Sequence, residues 1–449
     1  MIYANKIRKI CIFTNIFVPL HPQMKEKMSQ IWHSSSVRNV GKLLSANVIA
    51  QALGLLVYPI LTRLYAPEDF GLLNLFCSIG GVLILLSTLE WYNAVVLPKR
   101  EEDARAIVHL CLLSIGVLTL VLLATVPFAG RIAGLFNSPS LAHYYWLLPI
   151  YVMLMGGWNV LNYWYIRNKQ YGRISGYQVS QSLFSAGYKT GFGFQGWLNG
   201  GLIYASILSP LCALVLSLLM NGKQRLAALC RIDKVRCREM AHMYANFPKF
   251  STPRALLNNI VGQLPVLLLT PLFGSRYVGF WGMAILLAFV PISTITRAIY
   301  QVLFQKTTEC VHAGQPIRHI YRRFTRYTLV TVLPAFAALW FVLPLLTSWL
   351  LGEEWTVTGE YIRWMLPWLV CSILNTSTSF LVDVFFKQKE GLYFEILLAC
   401  GRSSGVGLGI WLNNFEAAIA GYSIASALIN GAQYIWLMHL VRVYENKFP

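Results

Sequence analysis

From about residue 37 to residue 444 the apolar positions come in long unbroken stretches separated by short polar segments. A helix needs about 20 such residues to cross the hydrocarbon of a bilayer. Stretches that satisfy this begin near Val40, Gly71, Ala104, Leu141, Ile174 and Gly200, and again near Pro253, Gly279, Tyr327, Tyr361, Phe394 and Ala417. No period-two alternation or Gly-rich hairpin spacing competes, which argues against a β-barrel. The pattern predicts an all-α polytopic membrane protein of about twelve transmembrane helices. Composition agrees: of 449 residues, 56% are hydrophobic and only 12% are charged, too apolar a mixture for a water-soluble globule.

The stretches repeat. LTRLYAPEDFG, Leu61 to Gly71, returns 208 residues later as LTPLFGSRYVG, Leu269 to Gly279, so that Leu64, Tyr65 and Gly71 fall on Leu272, Phe273 and Gly279. A second echo sets YWYIRNKQYG, ending at Gly172, against DVFFKQKEG, ending at Gly391, with Lys169-Gln170 over Lys387-Gln388. Because each half holds an even number of helices, the repeat is expected to be parallel, about an axis along the membrane normal, with the transport path between the halves. The expected domains are an N-terminal extension (1–36), a six-helix bundle (37–220), a basic linker (221–248) and a second six-helix bundle (249–449). The linker pattern suits an amphipathic helix on the inner membrane surface.

The net charge of +19 would suggest nucleic acid on a soluble surface, but here it gathers in alternate loops. With a cytoplasmic N-terminus, that side receives 29 Lys and Arg and the opposite side five: Arg63, Arg131, Lys189, Arg276 and Arg363. This is the positive-inside asymmetry, and with an even helix count both termini face the cytoplasm. Attraction to anionic lipids explains the basic loops without nucleic acid. The nine cysteines contain no CxxC, so neither a disulfide framework nor a metal site is expected. A zinc site at Cys230, Cys237 and His242 lacks tight ligand pairing. KIRKICIFTNIFVPL has no small-residue cleavage site, and translation from Met24 or Met28 is the expectation there.

The segment from Ser36 to Phe76 resembles the first two helices of Wzx-type O-antigen and polysaccharide flippases. The likeness rests on Asn and Gln in a Gly-containing first helix, on Thr62, Arg63, Leu64 and Tyr65 at its end, and on Pro67, Glu68, Phe70 and Gly71 after it. The Asn168 to Tyr171 turn is similar too. Helix count, loop charge and repeat extend the resemblance over about residues 37 to 444. It implies the fold of the multidrug/oligosaccharidyl-lipid/polysaccharide (MOP) exporter superfamily: two parallel-repeat six-helix bundles in the V shape of a MATE transporter. It also implies the substrate, a short oligosaccharide on undecaprenyl pyrophosphate, turned from the cytoplasmic to the periplasmic leaflet of a bacterial inner membrane for O-antigen, capsule or exopolysaccharide assembly. A polysaccharide polymerase and a chain-length regulator would be partners. The sequence holds no HExxH and no GxxxxGK(S/T), so no enzyme activity and no bound cofactor are expected, and the energy source is expected to be a gradient, of protons or sodium, or the removal of product.

A hydrated pyrophosphate and sugars must be carried past the apolar core, so cationic and amide side chains within the helices are the candidates. Arginine suits because its planar fork holds phosphate at two points. Arg297, inside the eighth helix, leads. Glu90 falls next to it under the repeat, over Ala298, and the two are expected to pair as one gate closes; a static salt bridge or a lipid-snorkelling arginine is the plainer account. Arg254, at the start of the seventh helix, would receive the pyrophosphate, or would only fix helix depth. Asn47 and Gln51 of the first helix, with Asn258, Asn259 and Gln263 of the seventh, supply amides. Tyr92 falls over Tyr300, and both rings are placed to stack on sugars, although packing is the fuller account of each. Lys189, Asp383 and Arg402 are expected to make structural pairs, Asp383 with Arg402, and Glu90 or Asp383 would carry a coupling ion. Trp355, Tyr361 and Trp364 read as interfacial anchors.

Two other classes compete. A MATE-like drug or cation exporter would line its path with acids, whereas the four wall helices here carry Arg254 and Arg297 against Glu90. A polymerase or acyltransferase would need a large outer loop or a His/Asp cluster. Gly191, Gly193 and Gly196 match a dinucleotide fingerprint but follow no strand, and the sequon at Asn375 lies in a membrane helix.

Overall fold

Long apolar runs broken by Pro, Gly and acidic first turns become helices whose backbone polar groups are satisfied within the segment, as a membrane requires. The computed structural model describes residues 35–198, 200–219 and 233–446, with the side chains of residues 35–47 and of His312 excepted. Residues 1–34 of the N-terminal extension, the Asn47 side chain, Cys230 and the first part of the linker therefore lie outside the described residues. Fourteen helices concern the argument. The first half has α1 (Ser35–Leu64), α2 (Pro67–Thr88), α3 (Glu101–Thr125), α4 (Leu148–Arg167), α5 (Tyr171–Phe194) and α6 (Gly201–Leu219). A short α7 (Lys234–Met243) follows. The second half has α8 (Thr252–Phe273), α9 (Ser275–Ala284), α10 (Val290–His312), α11 (Arg318–Leu351), α12 (Thr356–Thr378), α13 (Gln388–Trp411) and α14 (Phe415–Glu445). A π-turn at Ile285–Phe289 joins α9 to α10 as one rod.

Eight helical spans among the described residues are long and apolar enough to cross a membrane, and the chain is a multi-pass membrane protein. Helices α1, α4, α5 and α13 are not among the eight. Two of these carry polar groups along their length: Arg173, Gln178, Gln181 and Lys189 in α5, and Lys389, Glu390, Glu395 and Arg402 in α13.

Starts and stops follow local chemistry. Pro67 opens α2 with Glu68 and Asp69 in the first turn, and the Asp69 carboxylate accepts the Ala66 N–H at 3.0 Å, satisfying an amide that the helix leaves free. Glu101, Glu102 and Asp103 favour the positive end of α3. The Asn168–Gln170 turn ends α4 with Lys169 at φ 55° and the Gln170 N–H on the Tyr165 carbonyl, 2.8 Å. The second half repeats this closure at Phe386, φ 54°, with the Lys387 N–H on the Val382 carbonyl, 2.7 Å. The turns are equivalent, but Phe386 takes the place of Lys169, so the structural register differs by one residue from that of the Lys-Gln identities. Where α13 meets α14, a Cβ on Gly405 would strike Gly421, and one on Gly409 would strike Ala418. Gly401, Gly405 and Gly409 form a four-residue repeat of small residues that lets two membrane helices approach closely.

The buried side chains divide unevenly. One large apolar cluster runs through both halves, from Leu61, Phe70 and Phe76 to Phe280, Trp355, Tyr361 and Tyr422. Toward the opposite end each half keeps its own: Ile107, Cys111 and Val160 with Met240 in the first, and Tyr321, Phe380 and Leu437 in the second. The halves are fused at one end and packed separately at the other. Helix α7 belongs to the first half. Its Arg236 pairs with Glu102, with Asp103 at 3.4 Å and with Asp233 at 3.3 Å, while Met240 enters the α3 core.

Candidate translocation site

The fused end is built on the repeat. A Cβ on Gly71 would run into the Ser275 carbonyl oxygen, and one on Gly279 into the Pro67 carbonyl oxygen. Pro67 and Ser275 are as far apart in sequence as Gly71 and Gly279, so each glycine packs on the counterpart of the residue that packs on the other, as at a two-fold interface. Glu68 and Arg276, also equivalent at a separation of 208, form an ion pair across the axis at 3.1 Å, and Arg276 holds Glu354 at 2.7 Å. Trp355, 1% exposed, stands edge-on to Phe70 at 5.2 Å and to Phe280 at 5.5 Å, and its indole N–H donates to the Thr62 carbonyl at 3.3 Å. The expected interfacial roles of Trp355 and Tyr361 are thus corrected: both are buried, and Trp355 wedges the halves together. Trp364 does lie near the surface, donating to Glu416 at 2.8 Å.

Farther along the same helices the contacts between halves turn polar. The Asn74 amide donates to the Val278 carbonyl at 3.3 Å, Ser78 donates to the Gln263 side-chain amide oxygen at 2.9 Å, and the Gln51 amide donates to Thr294 at 2.6 Å. Asn259 faces Gly81 of α2, and its amide oxygen is buried without a partner, an unmet acceptor of the kind that water or ligand satisfies. The amides expected at the path, Gln51, Asn259 and Gln263, therefore do lie where the halves face each other.

Beyond this polar band, Arg254 of α8 and Arg297 of α10 are exposed and make no ion pair or hydrogen bond with other described residues. Arg297 does not meet Glu90 in this structure. The chain turns sharply after α2, with Leu89 at φ 48° and Glu90 at φ 60°. That turn buries the Glu90 carboxylate, which accepts the Tyr92 hydroxyl at 2.9 Å and the Asn93 amide at 2.5 Å. The expected gate pair is replaced by a local hydrogen-bonded turn. Tyr92 packs on Tyr163 at 4.9 Å, and Tyr300 on Phe304 and Phe380 at 6.1 and 5.3 Å. Both tyrosines are packing residues here, in separate halves.

A second polar space lies inside the first half, between α1 and α5. It has a volume of about 320 Å³ and is lined by Gln51, Tyr58, Gln178, Gln181, Ser182 and Lys189 among others. The structural pair expected for Lys189 is absent: among the described residues its ammonium meets no acceptor. The expected Asp383–Arg402 pair is also absent. Arg402 sits between the rings of Trp368, 5.5 Å, and Tyr422, 4.8 Å, and donates to Ser426 at 2.9 Å, a cation held by ring faces. Asp383 instead accepts the Gln388 amide at 3.5 Å. The period of α5 would have put Gln178, Gln181, Ser182 and Lys189 on neighbouring faces, but their partner helix is distant in sequence.

Among the described residues no three His, Cys, Asp or Glu side chains gather as a metal site. Cys237 points into the α3 backbone, 3.6 Å from the Ala106 carbonyl, and burial and then Asp233 push its thiol up, away from the thiolate that zinc requires.

The profile for a family described as "Polysaccharide biosynthesis protein" matches residues 60–360. A curated relative, the succinoglycan biosynthesis transport protein ExoT of Rhizobium meliloti (strain 1021), is 20% identical over 328 residues, 71% of this chain and 63% of that protein. The chain thus spans somewhat under two thirds of that relative's length. Among solved structures, the inward-facing conformation of a multidrug resistance MATE family transporter of the MOP superfamily superposes with a TM-score of 0.68 at 14% identity, covering 90% of this chain and 96% of the other. An outward-facing MATE conformation gives 0.59 at 13% identity, covering 93% and 98%. The fold is that of the MATE transporters.

Proposed function

The chain belongs to the polysaccharide biosynthesis protein family, and on that premise we propose that it is a flippase for undecaprenyl-pyrophosphate-linked oligosaccharide. It works by alternating access between two six-helix bundles, 37–220 and 249–449, arranged as a V in a bacterial inner membrane with both termini cytoplasmic. The observation that carries this reading is the contrast between the two ends. The Gly71–Gly279 end is packed backbone to backbone, whereas Arg254 of α8 and Arg297 of α10, without a partner among the described residues, stand exposed toward the other. Positive-inside charge makes the closed end periplasmic, so the state is cytoplasm-facing, in keeping with the higher score against the inward-facing transporter. Arg254 would meet the pyrophosphate and Arg297 would hold it deeper, where an arginine fork replaces lost hydration. Gln51, Asn259 and Asn47 would contact the sugars. The polyprenyl tail stays in lipid. A proton or sodium gradient drives the cycle, and polymerase and chain-length regulator receive the product.

A drug or cation exporter is the second reading, and the MATE likeness of the fold supports it more directly than the first. The unpartnered cations favour an anionic cargo. The discriminating experiment depletes the protein and follows the sidedness of lipid-linked oligosaccharide together with sensitivity to cationic drugs. Accumulation in the cytoplasmic leaflet with loss of surface glycan supports flipping. Unchanged sidedness with heightened drug sensitivity selects the exporter.

A further inference from the structure

The space between α1 and α5 adjoins the Arg254 and Arg297 region at Gln51 but is lined by two other helices. It follows α1 from Ala50 to Leu61 and α5 from Gln178 to Lys189, a length of about 16 Å at the helical rise. Its volume of about 320 Å³ lies within the usual range for small-ligand sites, about 300–1,000 Å³. Three amides, two serines and a tyrosine ring line it, and the lining contains one cation and no carboxylate. Among the described residues the buried Gln178 amide oxygen has no hydrogen-bond partner and the Lys189 ammonium finds no acceptor. A buried polar group without a partner is costly; Ser182 already donates to the Ala50 carbonyl and Gln51 to Thr294, so the groups left for a ligand include the Gln178 oxygen and the Lys189 ammonium.

We infer that this crevice binds an acidic sugar, a pyranose carrying one carboxylate, with Lys189 as its counter-ion. The amides of Gln178 and Gln181 serve the hydroxyls, and the Tyr58 ring offers a face for the sugar. A pyrophosphate fits less well: the crevice offers one ammonium and no guanidinium fork, and the forks lie on α8 and α10. A cationic drug fits worse, since no carboxylate answers its charge. Gln51 belongs to both regions, lining the crevice while donating to Thr294, three residues before Arg297, so a sugar held here lies beside the phosphate path. The inference rests on the flippase reading and adds to it a selectivity for acidic glycans.

The test is calorimetry on the purified full-length chain in lipid nanodiscs, with four probes: a glucuronic acid–glucose disaccharide, the neutral glucose disaccharide of the same linkage, inorganic pyrophosphate and tetraphenylphosphonium. The uronate disaccharide should bind at least about tenfold more tightly than the neutral one. Lys189→Gln should remove that preference, Lys189→Arg should keep it, and Gln181→Leu should weaken both sugars alike. Lack of uronate binding up to about 10 mM, or equal binding by wild type and Lys189→Gln, overturns the proposal. So does pyrophosphate binding that depends on Lys189 when uronate binding does not, which would make the lipid phosphate the occupant. Tetraphenylphosphonium displacing the sugar would overturn it in favour of a cation site. Should Lys189→Gln fail to fold, Lys189→Met replaces it as the uncharged variant of similar length, and a uronate preference that survives in it overturns the proposal. Normal flipping with failed uronate binding removes only this site, whereas uronate binding without any change of lipid sidedness on depletion removes the flippase reading.

Discussion

Arg297 and Glu90 occupy nearly equivalent places in the repeat, yet they differ in everything that matters to chemistry. Arg297 is exposed and without a partner among the described residues, whereas Glu90 is buried at a left-handed turn and doubly hydrogen-bonded. Arg297→Ala should therefore abolish flipping at normal membrane abundance, and Arg297→Lys should restore only part of it, because an ammonium cannot grip a phosphate at two points. Lipid-sidedness assays on abundance-matched cells check this; wild-type flipping by Arg297→Ala would remove the residue from the mechanism. Glu90→Gln should cost about 1–2 kcal/mol of stability, since an amide in that place puts its own donor among the hydrogens of Tyr92 and Asn93. Melting in detergent should fall while transport and its pH dependence persist; a lost pH dependence would make Glu90 the coupling site. The arginines were legible because a charge inside an apolar run is conspicuous by itself. Lys189 and Arg402 were conspicuous too, but their surroundings were not: the crevice needs α1 beside α5, and the ring clasp needs Trp368 and Tyr422 on two other helices.

At the scale of elements, the repeat seen in the sequence proves to be a contact. Gly71 and Gly279 lie where no side chain fits, each against a backbone carbonyl of the other half, so neither collision can be relieved by a rotamer change. Gly71→Val should hold this end open and raise the labelling of a cysteine placed at Asn74 by a membrane-impermeant thiol reagent, read in a cysteine-free background from the side of the membrane that carries this end. Labelling no higher than in the glycine protein would mean that the end opens by another route. Helix positions were readable from apolar length, and helix starts less so. The apolar stretch that begins near Tyr327 belongs to a helix, α11, that starts earlier, at Arg318, because the basic segment ahead of it buries Ile320, Tyr321 and Phe324. A hydropathy window averages such a segment away, although its period is helical. The turn after α12 shows the same limit: the Lys-Gln identities pointed to the right loop, but hydrogen bonding fixed its register.

For the whole molecule, the question is what holds one end shut while the halves are free to part at the other. The Arg276 bridges are about half exposed on every partner, and exposed pairs contribute roughly 0–1 kcal/mol. The closed state must therefore depend chiefly on the buried wedge of Trp355 between Phe70 and Phe280 and on the glycine contacts, with the ion pairs fixing alignment. Arg276→Ala should consequently slow transport only modestly, and raised salt should mimic it in the wild type. Alternating access requires this end to open in every cycle. Cysteines replacing Glu68 and Arg276, joined by a short thiol-reactive linker in a cysteine-free background, should halt flipping completely, and a cleavable linker should restore it on reduction. Each single cysteine treated alike should flip normally. Undiminished flipping with the link in place would mean that cargo passes without separation of this end, and the rocking of two halves would have to give way to a path along the outside of one.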